Sequence, residues 1–347
     1  MAYSSIVKPS VYFNTKLYTG NGGTQSVTGV GFKPDFTWIK NRSRVENNVL
    51  YDIVRGVQKR IEANTTDAQS TKTNGLTAFD SDGFTVGSAG QNNYNGDNLV
   101  SWNWLAGGSQ GSSNTDGSIN TTYTSVNTTA GFSISTYTGT GSNATVGHGL
   151  GVVPKFILTR HLGNAGRYWG GYHASIGNGS TIALNSNNAI DTNATYWNDT
   201  TPTASVFSVG TNGDTNDSSG MVAYCFAEVK GYSKFGKYTG NGNDNGPFIY
   251  TGFKPAWIMI KRTDDTDTWT IYDNKRTGFN VDNNQLFASA TTAESTDDDL
   301  DILSNGFKIK RNSGRVNASG ANNIYMAFAA EPLVANSGAN GVPATAR

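Results

Sequence analysis

Apolar and polar residues alternate over short stretches along much of the chain, which is the pattern of β-strands. The stretch NLVSWNWLA at 98–106 places Val100, Trp102 and Trp104 on one face, because successive side chains of a strand point to opposite faces. The stretch PDFTWIK at 34–40 is mostly apolar, as expected for a strand that is covered on both faces. Asn-Gly and Asp-Gly pairs separate these stretches, so the pattern predicts strands and turns rather than helices.

The same series of landmarks occurs three times along the chain. In each copy, Tyr-Thr-Gly is followed 16 or 17 residues after its tyrosine by a proline that opens an apolar strand ending in Lys or Arg. A tyrosine, a short Phe-containing strand and an alternating closing strand follow in the same order. The closing strands read NLVSWNWLA, GMVAYCFAE and NIYMAFAAE. Five landmarks at near-constant spacing predict three modules, at 11–107, 131–230 and 231–332.

The size and turn content of each module predict its architecture. About 100 residues with many short strands are typical of a β-sandwich, so we expect an all-β fold of three tandem β-sandwich or jelly-roll modules. Residues 1–10 are then an N-terminal docking arm and 333–347 a C-terminal tail. The Gly/Ser/Thr/Asn-rich segment 108–130 is interpreted as a linker, either flexible or running as an extended strand on the surface. The short join at 229–240 predicts rigid packing of modules 2 and 3, with module 1 held more loosely.

Composition excludes several classes of protein. Only 15% of the 347 residues are charged and the formal net charge is zero, which argues against nucleic-acid binding because that needs a basic surface. No apolar run approaches the roughly 18 residues of a membrane span, so we expect no membrane insertion. The start, MAYSSIVKPS, lacks the pattern of a signal peptide, which predicts synthesis in a cytoplasm without export. The single cysteine, Cys225, excludes an internal disulfide framework.

Few residues suggest catalysis or metal binding. His148, His161 and His173 all lie in module 2, but their spacing matches no compact metal motif. The G-x-S-x-G match at 107–111 lies in low-complexity sequence rather than between a strand and a helix. No glutamate recurs at a matching position of all three modules, so no carboxylate pair for glycoside hydrolysis is indicated. We therefore predict no enzyme activity, no catalytic residue and no metal or cofactor site.

Calcium is an open alternative at one kind of loop. The stretch NGNDNG at 241–246 resembles the start of a calcium loop, but Gly252 occupies the position where an EF-hand needs glutamate. The EF-hand is therefore excluded, and Ca²⁺ at some other Asp/Asn-rich loop stays open. The acidic run 297–299 is interpreted as a solvated loop.

Modules 1 and 3 share a charged pair next to the repeated tyrosine. The pairs are Asp52 with Arg55 and Asp273 with Arg276. They either fix a turn, because Asp and Arg satisfy backbone groups of loops well, or form a polar contact surface. The turn is the favoured interpretation, and His173 takes the place of the aspartate in module 2.

Aromatic residues divide into two groups by their sequence context. Trp38, Trp102, Trp104 and Trp257 lie in regular strands and are expected in the core. The others lie in less regular sequence and are candidates for an exposed contact surface. These candidates are Tyr94, Tyr168, Trp169, Tyr196, Trp197 and Trp269.

The order of motifs resembles a known but uncharacterised module. YFNTKLYTGNG, VGFKPDFTWIKNR, LYDIVRG, DGFTVGS and SWNWLAG in module 1, together with YTGFKPAWIMIKR and IYMAFAAEP in module 3, are similar to a repeated module of tail-fibre-like and other virion proteins of marine and freshwater bacteriophages. The resemblance covers most of residues 11–332. Module 2 departs most, with HGLGVV before Pro154 and Arg160 in place of lysine. If the binding residues belong to the outer modules, module 2 is a spacer.

The resemblance implies lectin-like β-sandwich modules and a virion protein made in the host cytoplasm. Its first interpretation is a tail fibre or receptor-binding component that contacts a host surface glycan or protein through loops of the β-sandwiches. The alternative is a capsid decoration or tail adaptor without receptor contact, and a polysaccharide depolymerase is favoured less. The expected partners are other virion proteins and copies of the same chain, with a homotrimer expected by analogy.

Overall fold

The computed structural model describes residues 4–276, 280 and 282–333. Of the predicted C-terminal tail only Leu333 is among them, and of the predicted N-terminal arm residues 1–3 are not. Among these described residues, no helix is both long enough and apolar enough to cross a membrane.

Module 1 forms one large and one small antiparallel sheet. The large sheet has the order β1-β9-β3-β4-β5-β6 and the small one the order β2-β8-β7. The elements are the 3-10 turn η1 (Pro9–Val11), the helical turn α1 (Gly90–Asn93), and the strands β1 (Phe13–Thr19), β2 (Gln25–Thr28), β3 (Phe36–Asn41), β4 (Val49–Asp52), β5 (Lys59–Glu62), β6 (Ser70–Thr71), β7 (Leu76–Asp80), β8 (Gly83–Val86) and β9 (Asn98–Trp104).

Module 2 repeats this arrangement with one extra strand at its edge. Its main sheet has the order β10-β11-β18-β13-β14, and β12-β17 and β15-β16 form two-stranded sheets. The strands are β10 (Tyr123–Asn127), β11 (Phe132–Thr138), β12 (Ala144–Gly147), β13 (Pro154–His161), β14 (Gly170–His173), β15 (Ser180–Thr181), β16 (Asp191–Thr192), β17 (Val206–Val209) and β18 (Gly220–Ala227).

In module 3 the two layers join into one sheet of order β19-β26-β21-β22-β23-β24-β25-β20. The join is made by β23, which pairs with β22 on one side and with β24 on the other. The elements are β19 (Ser233–Thr239), β20 (Phe248–Tyr250), β21 (Phe253–Arg262), β22 (Thr270–Asp273), β23 (Asp282–Phe287), β24 (Ser295–Leu303), β25 (Gly306–Ile309), the helical turn α2 (Gly314–Asn317) and β26 (Asn322–Pro332).

The three modules share one topology. In each, the closing strand pairs with the first strand and with the post-proline strand, giving the orders β1-β9-β3-β4, β11-β18-β13-β14 and β19-β26-β21-β22. The predicted landmarks therefore occupy equivalent strands, and the predicted all-β fold is confirmed.

Each main sheet is covered on both faces. In β3, Ile39 packs in a core that belongs to module 1 alone, whereas Trp38 packs in a core that contains residues of all three modules. The same alternation separates Ile157 from Leu158 in β13. Two apolar faces explain why the post-proline strands are largely apolar, since neither face meets water.

One aromatic-rich core joins the three modules. Phe13 stacks on Phe328 with ring centroids 5.2 Å apart, and Trp104 meets Trp257 edge to face at 5.6 Å. Phe36 lies 4.7 Å from Tyr224 of module 2. A central cavity of only about 10 Å³ remains, which is about the size needed for one water. The expectation that module 1 is held more loosely is therefore wrong, because its largest side chains are buried among those of the other modules.

Contacts between modules join the closing strand of one module to the residue after the repeated tyrosine of the next, in a constant direction. Tyr224 of module 2 donates a hydrogen bond of 2.7 Å to Asp52 of module 1, and Trp102 of module 1 donates one of 2.9 Å to Asp273 of module 3. The third contact places His173 Nε2 of module 2 at 3.2 Å from the backbone oxygen of Tyr325 in module 3. Three contacts of this kind, each joining one module to the next, close a ring.

The Lys or Arg that ends each post-proline strand donates a hydrogen bond to a neighbouring module, so that each of the three interfaces has one such contact. Lys40 Nζ donates to the backbone oxygen of Thr291 at 2.8 Å, and Lys261 Nζ donates to that of Asn187 at 3.2 Å. Arg160 donates to the backbone oxygen of Asp67. All three bases are completely buried, so the repeated base of the sequence pattern is a structural residue of the ring.

The predicted linker and arm are both packed against the ring. Part of 108–130 forms β10, which covers the outer edge of β11, and Ile119 is buried in the core of module 2. Ile6 of the arm is buried in the shared core. Of the two alternatives for the linker, the strand is the one found.

Candidate functional site

A polar depression lies where the three modules meet at one end of the ring, and we call it the shared pocket. Its volume is about 560 Å³. Amide and hydroxyl side chains dominate its lining, with one tyrosine and one carboxylate. The lining residues are Asn47, Asn64, Thr65, Thr66 and Asp67 of module 1, Tyr168, Asn185, Ser186 and Asn187 of module 2, and Ser289 and Thr291 of module 3.

Side-chain amides hold the walls of the shared pocket in place. Asn64 Nδ2 donates to Asn47 Oδ1 at 2.8 Å, and Asn185 Nδ2 donates across the module boundary to the backbone oxygen of Thr65 at 3.0 Å. Ser289 Oγ donates to Asn187 Oδ1 at 2.9 Å, which ties module 3 to module 2. The lining is therefore a preorganised set of polar groups fixed by contacts between the modules.

Buried cations lie directly behind these walls. Lys40, Arg160 and Lys261 donate to backbone oxygens of the lining residues Thr291, Asp67 and Asn187. Burial lowers the pKa of Lys40 and that of Lys261 to about 8. Because these side chains donate their hydrogen bonds to backbone oxygens of the wall, they stabilise the wall rather than contact a ligand.

A second hollow, which we call the side cleft, opens beside the shared pocket within module 2. Its volume is about 210 Å³ and it shares Tyr168 and Ser186 with the shared pocket. The side cleft is lined by Tyr168, Trp169, Thr181, Ala183, Ser186, Asn188, Ala189, Asp191 and Tyr196.

Tyr168 stands between the two hollows. It is 45% exposed, and it lies two residues before the start of the strand β14 at Gly170. Its backbone is fixed by the carboxylate of Asp214, which accepts a hydrogen bond of 3.0 Å from the Tyr168 N–H. An exposed aromatic ring on a fixed backbone is a surface on which a flat apolar face can stack.

The far wall of the side cleft carries a phenol and a carboxylate. The pKa of Tyr196 is raised to about 12, first by burial and then by the nearby carboxylates of Asp214 and Asp191. The Tyr196 backbone oxygen accepts hydrogen bonds from Gly210 and Thr215 at 2.9 and 3.0 Å. A neutral phenol beside the exposed carboxylate of Asp191 offers a donor and an acceptor at one place.

The predicted contact aromatics divide into exposed and buried residues. Tyr94 and Tyr168 are each 45% exposed and Tyr196 is half-buried, but Trp169, Trp197 and Trp269 are each only 1% exposed. The prediction of exposure is therefore wrong for the three tryptophans. Only Tyr168, Trp169 and Tyr196 come together in one site.

Two of these tryptophans hold the ring together. The Trp169 indole donates to the Glu62 backbone oxygen at 3.0 Å, and the Trp269 indole donates to that of Ala183 at 2.9 Å. Each lies three residues before the repeated tyrosine of its module. Asn48 holds the same position in module 1 and donates to the Phe287 backbone oxygen at 3.0 Å. That shared offset was the signal that could have identified them as structural.

Tyr94 lies elsewhere, near the end of α1 in module 1. The guanidinium of Arg44 lies 3.5 Å from the centre of its ring, which is a cation–π contact that covers one face.

The predicted polar pairs are interior and not a contact surface. The Arg55–Asp52 and Arg276–Asp273 ion pairs measure 2.5 and 2.7 Å, and their side chains are at most 1% exposed. Each aspartate also accepts the backbone N–H of its arginine, at 2.8 and 3.1 Å. These contacts fix the turns after β4 and β22, as the favoured interpretation has it.

The residues considered for metal binding do not come together. Among the described residues, no group of three or more His, Cys, Asp or Glu side chains is placed to hold a metal ion. The run 297–299 lies in β24 and not in a solvated loop, with Asp299 buried and accepting a hydrogen bond of 2.5 Å from Tyr272. In the loop 241–246, Asn241 and Asn243 accept backbone N–H groups of the same loop.

Together these features define an all-β protein in which three tandem modules form one ring with a polar hollow at its end. The chain belongs to the family described as Domain of unknown function (DUF7483), whose model matches residues 8–332. A single family model thus spans all three modules. No curated protein and no solved structure matches the chain.

Proposed function

We propose that this protein is a non-enzymatic attachment component of a virion that binds a glycan of the host surface. The binding site in this proposal is the shared pocket with the side cleft. The observation that carries it is the exposed ring of Tyr168, which stands between two hollows lined by amides and hydroxyls.

The chemistry of the lining favours a hydroxyl-rich ligand. Asn and Asp side chains and hydroxyl groups pair with ligand hydroxyls as donors and acceptors, and the C–H face of a sugar ring can stack on an aromatic side chain. Sites for drug-like molecules are mainly apolar, with few polar groups, whereas polar groups dominate here. A polar ligand loses less on leaving water when each of its hydroxyls finds a partner.

The virion location rests on the resemblance of the repeated motifs to bacteriophage virion modules. A homotrimer remains a prediction by analogy. Within one chain the three modules already make the closed contacts that three separate chains make in a cyclic trimer.

Adsorption and location on the particle test the proposal together. Purified full-length chain is added to host cells before the virus, and the particle is imaged by cryo-electron microscopy. We expect density for the ring on the tail and a dose-dependent loss of adsorption, with soluble envelope polysaccharide reversing the loss. Density on the capsid without blocking would instead support the decoration protein, and release of reducing sugar from the polysaccharide would overturn the absence of enzyme activity.

A further inference from the structure

We infer that the shared pocket and the side cleft form one continuous site for a neutral oligosaccharide of at least two sugar rings, with Tyr168 contacting both. This inference rests on the glycan binding proposed above and adds the length and charge of the ligand.

Continuity follows from the residues that the two hollows share. Tyr168 and Ser186 line both, so the two hollows adjoin at these two residues. Volumes of about 560 and 210 Å³ lie together within the range of roughly 300–1,000 Å³ typical of ligand sites. A ligand that fills both hollows therefore lies against Tyr168, which is 45% exposed.

The side cleft is a fixed structure and not a gap between mobile loops. The segment that carries Tyr196 turns back on itself, with the Asn198 N–H donating to the Ala194 backbone oxygen at 2.8 Å. Asn198 and Asp199 have φ angles of 52° and 45°, in the left-handed region that Asn and Asp tolerate better than most residues. Trp197 is buried in the core of module 2 and anchors the turn.

The charged side chains that line the two hollows are carboxylates. Asp67 of the shared pocket and Asp191 of the side cleft are both exposed, and no Lys or Arg is among the described lining residues of either hollow. The cations behind the wall are buried and donate to backbone oxygens. Carboxylates accept hydrogen bonds from sugar hydroxyls but repel uronic acids, sulfates and phosphates.

The test uses host envelope polysaccharide that is partially hydrolysed and separated by charge and by length. Each fraction is titrated into the full-length protein by calorimetry. We expect neutral fragments of two or more sugars to bind at least tenfold more tightly than the monosaccharide, and the acidic fraction to bind more weakly than the neutral one of equal length.

Variants assign each half of the site. Tyr168→Ala should remove measurable binding of every fraction, while Tyr168→Phe, which keeps the ring, should retain most of it. Asp191→Asn should bring the oligosaccharide down to the affinity of the monosaccharide. Tyr94→Ala is the matched control, because Tyr94 is equally exposed but lies outside both hollows.

The outcomes separate this inference from the proposed function. Equal affinity for one sugar and for several, tighter binding of the acidic fraction, or unchanged binding by Tyr168→Ala would overturn the inference and leave glycan binding standing. Absence of binding by every fraction would overturn both.

Discussion

Module 2 and the two outer modules use the same topology for different purposes. In modules 1 and 3 the position after the repeated tyrosine is an aspartate paired with a buried arginine, whereas in module 2 it is the neutral ring of His173. At the end of the ring, Tyr168 takes the position held by Asn47 in module 1 and Thr268 in module 3. The module that departs most from the repeated pattern therefore contributes the aromatic ring and the whole side cleft, so we regard the spacer hypothesis for module 2 as the weaker one.

The edges of the sheets show the same contrast. The outer edge of β11 is covered by β10, and β11 contains no lysine. The strands β1 and β19 are at the ends of their sheets and carry Lys16, Lys234 and Lys237. Lysine on an edge strand hinders pairing with another chain, so modules 1 and 3 protect this edge with lysine and module 2 protects it with an added strand.

The largest expected effect is the loss of stability when a buried ion pair is broken, compared with the loss when His173 is replaced. Asp52→Asn leaves the Arg55 charge buried without its partner, which should cost about 3–5 kcal/mol of unfolding free energy. Asp273→Asn should cost less, because Arg276 also contacts Glu294 at 3.1 Å. His173→Asn should cost about 1–2 kcal/mol at pH 7, because it leaves space beside Phe156 and Phe235 but no unpaired charge. Urea unfolding of the three variants checks the order, and equal losses would contradict the contrast.

The next effect is a pH dependence that belongs to module 2. Burial lowers the pKa of His173 to about 4, so below the unfolded pKa of about 6.5 the unfolded chain binds a proton that the native chain does not. The contribution of His173 to the free energy of unfolding is complete above pH 6.5, and it falls by about 3 kcal/mol as the pH drops to 4. Asp35, whose pKa burial raises to about 6, acts in the opposite direction.

His173→Asn isolates the histidine from Asp35. The variant should lose the fall in stability between pH 6.5 and 4 while keeping the contribution of Asp35. Urea midpoints of both proteins at four pH values give the comparison, and parallel curves for wild type and variant would show that His173 is not responsible.

A smaller loss of stability tests whether Trp169 of module 2 and Trp269 of module 3 stabilise their interfaces equally. Trp169→Phe and Trp269→Phe each keep an aromatic ring but leave a backbone oxygen of the neighbouring module without its donor. Each variant should lose about 1–3 kcal/mol of unfolding free energy. The two losses should be similar, because the two indoles make the same contact. A loss in thermal unfolding for only one of them would mean that the interfaces are not equivalent.

The smallest effect concerns the two exposed tyrosines. Tyr168→Ala should change the free energy of unfolding by at most about 0.5 kcal/mol, as expected for an exposed position. Tyr94→Ala should cost about 0.5–1 kcal/mol, because it removes the cation–π contact with Arg44. A large destabilisation by Tyr168→Ala would indicate a structural role and would weaken the case for a binding residue.

The sequence predicted the strands and modules because their signals are local. Period-two alternation at Trp102 and Trp104 and the repeated landmarks depend only on neighbours along the chain. The ring could not be predicted in this way. A second apolar face on a strand indicates that the face is covered, but it does not identify the segment that covers it. The base that ends each post-proline strand, such as Lys40, was a visible signal whose partner lies in another module.

The same limit explains the errors at the candidate site. Trp169 and Trp269 lie in irregular sequence, which predicts exposure, but a large aromatic side chain gains more free energy by burial. The same pattern correctly predicts the exposure of Tyr168, but only the arrangement of the three modules shows that this residue lines a polar hollow.

The three modules form one ring with a single shared core, and the cooperativity of their unfolding tests this most directly. Native-state hydrogen exchange, followed by mass spectrometry over a urea series, measures the opening free energy of β9, β18 and β26 in one experiment. We predict that the three closing strands open together, with one common free energy that equals that of global unfolding. A lower opening free energy for β9 than for β18 and β26 would show that module 1 is a separate unit and would contradict the shared core.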